Sequence, residues 1–323
     1  MSAADQKPVG SGFAAKSEPH EILNDIDLTG RTAVVTGGYS GIGLETVRAL
    51  ASKGAKVIVP VRDEAKAAAN LSKVEGDVHS ATMDLSDIAS VRAFSDQMQT
   101  ELDHLDLLIN NAGIMACPME RVGPGWESQF GVNHMGHFAV TQGLMPLLEK
   151  AAAPRVVALS SIAHRRGGIN WDDIQFDNRE YHKWESYAQA KSANALFANA
   201  LSRRMSEFGG RAFSVHPGGI FTPLQRHLPT EEQVELGWLN PDGSPSELAK
   251  NGFKSTTQGC TTSLWAATSP MLDDKPGVYC EDCDIAAAIT DETPPFSGAA
   301  LHICDDQAAE RLWNLSEALL AAA

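Results

Sequence analysis

Residues 36–43 read Thr36-Gly37-Gly38-Tyr39-Ser40-Gly41-Ile42-Gly43. They follow the apolar run Thr32–Thr36 and precede a helical pattern that carries Leu44, Val47 and Leu50. Glycine turns the backbone tightly and lets another group approach it closely. The helix start that follows offers unpaired N–H groups and the positive end of the helix dipole, a seat suited to phosphate. The spacing Gly-x3-Gly-x-Gly differs from the commoner G-x-G-x-x-G turn but works by the same mechanics. Taken alone, the turn also fits a bland role, packing a helix on a strand.

Beyond this turn, short apolar runs alternate with amphipathic stretches. The runs are Thr32–Thr36, Ala55–Val61, Val78–Met83, Leu105–Ile109, Arg155–Ser160, Ala212–Val215 and Gly277–Tyr279. Ser86–Leu102 reads as a helix, with Ile88, Val91, Met98 and Leu102 on one face. Such alternation predicts an α/β fold, a doubly wound parallel sheet with helices on both sides. Runs such as Val57-Ile58-Val59 fit parallel strands buried on both faces. Residues 1–20 read as a flexible, polar extension, and 21–323 as a single dinucleotide-binding domain. Two long irregular segments, Arg165–Glu185 and Gly219–Thr257, read as extended loops near the substrate site.

The chain has 323 residues, 43% hydrophobic and 21% charged, enough for a large buried core. Lys and Arg number 26 against 41 Asp and Glu, for a net charge of −15. An acidic balance argues against nucleic acid as a partner, because phosphate contacts need clustered cations. No apolar run is long enough to span a membrane. Five cysteines suit a reducing, cytoplasmic setting better than a disulfide framework.

Three further motifs follow the glycine turn in order: Asn110-Asn111-Ala112-Gly113, Tyr187-Ala188-Gln189-Ala190-Lys191, and Pro217-Gly218. Together with Thr36-Gly-x3-Gly41-x-Gly43 they resemble the short-chain dehydrogenase/reductase family, from about Leu28 to the C-terminus. The long interval between Ser161 and Tyr187 is similar to that of the retinol-dehydrogenase-like and bacterial oxidoreductase subgroup. The resemblance implies a Rossmann-type fold, a nicotinamide cofactor, and hydride transfer between that cofactor and a carbonyl or alcohol. It also implies a small-molecule substrate and, since the insert can shield the usual pairing face, a monomer or homodimer.

Tyr187 and Lys191 stand four apart and share a helix face. A phenol titrates near pH ~10 in isolation, and a neighbouring ammonium favours its ionised form. The pair therefore reads as a proton donor and acceptor. By resemblance Ser161 orients the substrate oxygen, with Ser160 on the opposite face, and Asn133 holds a water in a proton relay. Both serines also fit a plain capping role, and Asn133 a core asparagine interrupting its helix. His134, His137 and His164 receive no role.

On the cofactor side the expected contacts are Gly37, Ser40, Gly41, Ile42 and Gly43 at the turn. Arg62 follows the second strand, where a guanidinium can pair with the 2′-phosphate of NADP and a carboxylate would accept the 2′-hydroxyl of NAD. NADP(H) is accordingly favoured over NAD(H), although Asp63 competes for the position and Arg62 also fits a solvated helix start. By resemblance Asp84 and Leu85 meet the adenine, Asn111, Ala112 and Gly113 flank the ribose, and Pro217, Gly218, Ile220 and Thr222 hold the nicotinamide. Asp84 fits equally well as a helix cap. Leu228, Trp238 and Phe253 are candidate apolar contacts of the substrate or a local packing cluster. Cys280, Cys283, His302 and Cys304 have the chemistry of zinc ligands, but free buried cysteine is common, and no metal site is expected. Two rival readings keep the fold: a C=C reductase, and a nucleotide-sensing protein without catalysis.

Overall fold

The computed structural model describes residues 1–323. After a short helix α1 (Pro19–Ile22), the chain alternates β1 (Thr32–Val35), α2 (Gly41–Ser52), β2 (Lys56–Val61), α3 (Glu64–Leu71), β3 (Val78–Thr82), α4 (Ile88–Glu101) and β4 (Leu107–Asn110). A small hairpin, β5 (Arg121–Val122) and β6 (Trp126–Glu127), and a helical turn α5 (Ser128–Phe130) lead into α6 (Gly136–Leu148), β7 (Arg155–Leu159), α7 (Lys183–Met205) and β8 (Arg211–His216). Two short helices, α8 (Thr230–Glu235) and α9 (Glu247–Gly252), precede α10 (Thr256–Thr268), β9 (Tyr279–Glu281), β10 (Asp284–Ile285) and α11 (Asp306–Ala321).

Eight strands form one sheet in the order β3-β2-β1-β4-β7-β8-β9-β10, parallel except for the antiparallel edge pair β9–β10. The order reverses between β1 and β4, where crossovers leave for opposite faces and a crevice opens beyond the strand ends. Alternate residues of each strand feed two separate cores. Val35, Val57, Val59, Leu107 and Ile109 pack with α2 and α10 through Val47, Leu50, Leu264 and Trp265. Val34, Ile58, Leu108 and Val156 pack with α4, α6, α7 and α11 through Phe94, Phe138, Leu196 and Trp313. This is why central-strand runs such as Val57-Ile58-Val59 are apolar at consecutive positions, whereas the edge strand β3 is polar and half exposed. Helix α11 covers the outer side of α7, with Trp313 stacked on Phe197 at 6.0 Å.

Two expectations need correcting. The predicted helix Ser86–Leu102 begins at Ile88, and its cap is Asp87, whose carboxylate accepts the Ala89 N–H. Asp84 instead accepts from the backbone and hydroxyl of Ser86, so it organises the turn before the helix. The expectation that residues 1–20 form a mobile extension also fails. Gln6 is buried, and its amide donates to the carbonyls of Tyr279 and Ala286 while accepting the Tyr279 N–H. The Asp284 carboxylate accepts from the backbone N–H groups of Val9, Gly10 and Ser11. Val9 and Phe13 pack against the core. The segment is docked through Gln6 and Asp284, although Ser2, Asp5, Lys7, Lys16 and His20 remain exposed.

Replacing Gln6 with Ala leaves the Tyr279 N–H and the Ala286 carbonyl without a partner, while the Tyr279 carbonyl keeps the Ala286 N–H. Gln6→Ala should lower unfolding free energy by about 1–3 kcal/mol, measured as the denaturant midpoint at unchanged slope. An unaltered midpoint would mean that the segment is not part of the folded unit.

Candidate active site

A cleft of about 1080 Å3 lies over the carboxyl ends of the parallel strands. Its floor is set by a clamp between β1 and β4. The Thr36 hydroxyl accepts the N–H groups of Asn111 and Ala112, each at 2.9 Å, and the Asn111 amide donates to the Thr36 carbonyl at 2.7 Å. The glycine turn folds down onto this clamp. Gly37 and Gly41 have φ of 64° and 54°, a left-handed conformation that favours glycine. A Cβ on Gly43 would sit 2.4 Å from both the Gly37 carbonyl and the Asn111 amide. Helix α2 thus starts against the strand ends, and the Ser40 hydroxyl caps none of its first N–H groups. Gly37, Ser40, Gly41, Ile42 and Gly43 all line the cleft. The donor set and the space left by absent side chains fit a dinucleotide pyrophosphate.

At the end of β2, Asp63 caps α3 by accepting the Lys66 N–H at 3.0 Å. Its carboxylate is therefore engaged away from the cleft, while Arg62 and Lys66 both line it. Lys66 escaped the sequence reading; only the cap shows that it lies one helical turn beyond Arg62. Asp84, Leu85, Asn111, Ala112 and Gly113 line the same side.

The opposite end gathers the polar motif residues. Tyr187 and Lys191 lie on α7, both buried, with the Lys191 ammonium 5.6 Å from the phenol ring centre. Lys191 donates to the Leu159 carbonyl at 2.9 Å, at the end of β7. Ser161 follows that strand and caps a 3-10 turn through the Ala163 N–H. Ser160 points the other way and donates to the Lys191 carbonyl at 2.7 Å. The two serines are thus divided between the cleft and the scaffold, as the strand period requires.

Burial pushes the Tyr187 phenol up to about 12, with the Ser161 hydrogen bond opposing the rise. Burial also lowers Lys191, to about 8. The expected lowering of the phenol by the ammonium is therefore not what governs here, because desolvation outweighs it. Asn133 sits in a single turn of π-helix, Gly131–Met135. Its amide is spent on Ile114, accepting the N–H at 2.8 Å and donating to the carbonyl at 2.9 Å. A Cβ on Gly113 would come within 3.1 Å of the Asn133 amide oxygen and 3.7 Å of the Lys191 nitrogen, so these three positions converge. The Asn133 backbone carbonyl meets His137 Nδ1 at 2.9 Å. His134, His137 and His164 are buried and lowered to about 3, 4 and 4 by burial, which keeps them neutral.

Pro217, Gly218, Ile220 and Thr222 line the cleft beyond β8. Gly218 has φ of 101°, and the Lys254 side chain packs where its Cβ would stand. The segment 219–257, read as irregular, carries α8 and α9 and closes one wall. Around Tyr187 the packing is apolar: Met115, Ala163 and Leu228, with Leu224, Trp184 and Trp238 against them. Trp238 and Phe253 line the cleft, 5.8 Å apart, whereas Leu228 is buried behind the wall in the Tyr187 cluster. Cys280, Cys283 and Cys304 are buried free thiols, and His302 pairs with Ser192. No three His, Cys, Asp or Glu side chains gather as a metal site, and no helix is long and apolar enough to cross a membrane.

Comparison with known proteins agrees with this geometry. The family model for short chain dehydrogenase matches residues 31–233. A probable oxidoreductase of Streptomyces lividans is 39% identical over 302 residues, which are 92% of this chain and all of that protein. Retinol dehydrogenase 12 of Mus musculus is 36% identical over 92% of this chain and 88% of its own. The crystal structure of an uncharacterized protein from Mycobacterium paratuberculosis superposes with a TM-score of 0.70 at 34% identity, covering 92% of this chain and 96% of that one. The sheet order, the glycine turn on the β1–β4 clamp and the extent of these matches agree: the chain belongs to the short-chain dehydrogenase family and is a nicotinamide-dependent oxidoreductase.

Proposed function

We propose that the protein reduces carbonyl compounds with NADPH, the Tyr187 phenol giving the proton. The observation that carries this reading is a buried phenol at the cleft floor, flanked by Ser161 and Lys191. Its high pKa keeps it protonated throughout the neutral range, which suits a donor in reduction more than a base in oxidation.

A bound nicotinamide supplies the hydride. Ser161 and Tyr187 hold the carbonyl oxygen from two sides, and the phenol proton passes to that oxygen as negative charge develops on it. Lys191 stabilises the resulting phenolate, since its ammonium lies over the same ring. The amide of Asn133 fixes Ile114, next to Gly113, and any proton path through Asn133 runs by its backbone carbonyl. The apolar wall of Met115, Leu224, Trp184 and Trp238 excludes water from the reacting atoms. Arg62 and Lys66 would hold a ribose 2′-phosphate, and the engagement of Asp63 in capping favours NADP(H) over NAD(H). The covered outer side of α7 favours a monomer or homodimer.

Tyr187→Phe should cut turnover about 10²–10⁴-fold with NADPH binding retained, and Ser161→Ala should cost more turnover than Ser160→Ala. Normal turnover in Tyr187→Phe at normal cofactor affinity would sink the assignment. Lys191 is charged below about 8 and neutral above it. The rate of reduction, kcat/KM, should therefore fall as pH rises through that value, and Lys191→Met should lack this limb. A wild-type profile flat from pH 6 to pH 10, an interval of about four units around the ordinary range of such groups, would remove Lys191 from the proton step.

Cofactor choice is checked separately. A charged hydrogen bond contributes about 1.5–3 kcal/mol, so wild type should prefer NADPH over NADH, and Arg62→Asp should lose most of that preference. The measurement is kcat/KM with both cofactors. A preference untouched by Arg62→Asp and by Lys66→Ala would show that the phosphate is held elsewhere.

A further inference from the structure

The cleft is unlike the rest of the surface in its charge. Elsewhere on the molecule Arg31, Arg48, Arg121, Arg155, Arg179, Arg203 and Arg204 each pair with an Asp or Glu. Arg62, Arg165, Arg166 and Arg226 pair with no carboxylate and line this one cleft, whereas the other arginines without one, Arg92, Arg211 and Arg311, lie outside it on backbone carbonyls or the Trp171 ring. Arg62 is taken up by the cofactor reading above. The other three stand at the substrate end of a protein whose net charge is −15.

Their surroundings separate their tasks. Arg165 is committed to scaffold, donating to the carbonyls of Pro294 and Ser297. Arg166 lies over the Trp184 ring at 5.2 Å, and that ring meets Tyr187 edge-on at 6.3 Å and Trp238 at 6.4 Å. The exposed guanidinium of Arg166 is thus held on an aromatic face, one ring away from the phenol, with its N–H groups unbonded to protein. Arg226 closes its own turn by one bond to the Pro223 carbonyl at 3.2 Å. It flanks the same apolar wall between Leu224 and Leu228. The acidic groups nearby are largely occupied. Glu232 accepts from Lys183 and from the Trp184 indole, and Asp282 pairs with Lys254 at 2.7 Å. Glu281 accepts the Gly298 N–H through one oxygen while its other oxygen is buried without a partner, burial raising its pKa to about 7, and Glu235 lines the wall with no partner.

We propose that the substrate is amphipathic: an apolar body seated against Trp184, Trp238, Leu224 and Met115, and an anionic terminus met by Arg166 and Arg226. A guanidinium on an aromatic face is pre-organised for an oxyanion and loses little freedom on binding it. Carboxylate and phosphate share this chemistry, and the test separates them. The inference rests on the proposed position of Tyr187 in the same site, but its readout does not depend on turnover.

Enzyme loaded with NADPH, which does not react with alcohols, is titrated with 1-nonanol, ω-hydroxynonanoate and ω-hydroxynonyl phosphate, following tryptophan fluorescence, to which Trp184 and Trp238 at the site contribute. One of the two anions should bind about tenfold or more tightly than the alcohol, and the better anion names the terminus. Raising salt to about 1 M, where screening acts within a few ångströms, should shrink the advantage. Arg166→Gln and Arg226→Gln should each reduce it, and the double variant should bind anion and alcohol equally, whereas Arg92→Gln, on α4 outside this cleft, should leave the ratio alone. Equal affinity of wild type for the alcohol and both anions, or an advantage surviving in the double variant, overturns the proposal. Turnover of nonanal with NADPH tests the earlier reading independently: a dead Tyr187 mechanism with the anion preference intact would leave this inference standing.

Discussion

Where β1 and β4 part, three hydrogen bonds join Thr36 to Asn111 and Ala112, and the glycine turn lies directly on them. The rest of the site hangs from that junction. It fixes how closely α2 approaches the strand ends, because a Cβ at Gly43 has no room. It also sends the chain after β4 past Gly113 toward Asn133 and Lys191. A small shift at Thr36 would therefore move both ends of the cleft together, since one hydroxyl serves the first strand and the fourth.

The parts of this architecture that depend on local sequence were readable without coordinates. Strand runs such as Val57-Ile58-Val59 betray burial on both faces, and the split of Val57 and Val59 from Ile58 between two cores gives the reason. Glycines at 37, 41 and 43, and the four-residue interval between Tyr187 and Lys191, carry their geometry in their spacing. What resisted reading depends on partners distant in sequence. Gln6 meets Tyr279, and nothing in a polar segment announces that its amide completes a backbone ladder. The Arg62–Asp63 ambiguity was likewise open until the Asp63 carboxylate was found capping α3. Lys66 and the arginines of the substrate end are surface-type residues whose meaning is only their common direction. The rise of the Tyr187 pKa is hidden for a related reason: proximity of an ammonium is legible in spacing, but depth of burial is not.

An acidic exterior around a cleft with unpaired cations has a physical logic. Net negative charge repels anions in general, while exposed guanidiniums along the cleft, Arg62, Arg166 and Arg226, set an opposite field at its mouth. The field is therefore local, and it competes with solvent counterions only at the mouth. Nicotinamide dinucleotides are themselves anionic, so binding one discharges part of this field at the glycine-turn end. The two ends of the cleft are consequently coupled by charge even where no side chain connects them.

The segment around Gln6 also bears on how the chain is made. Its docking partners, Tyr279, Asp284 and Ala286, are among the last residues to be synthesised. Contacts of such long sequence separation form late, because loop closure must be accomplished before they contribute. During synthesis the leading segment remains undocked while β1 to β8 assemble, and the β9–β10 edge, once formed, exposes free backbone groups until that segment arrives. Strand edges in that condition are where chains join one another. The segment around Gln6 thus covers the β9–β10 edge only after that edge has been made, while the opposite edge, β3, stays open to solvent throughout.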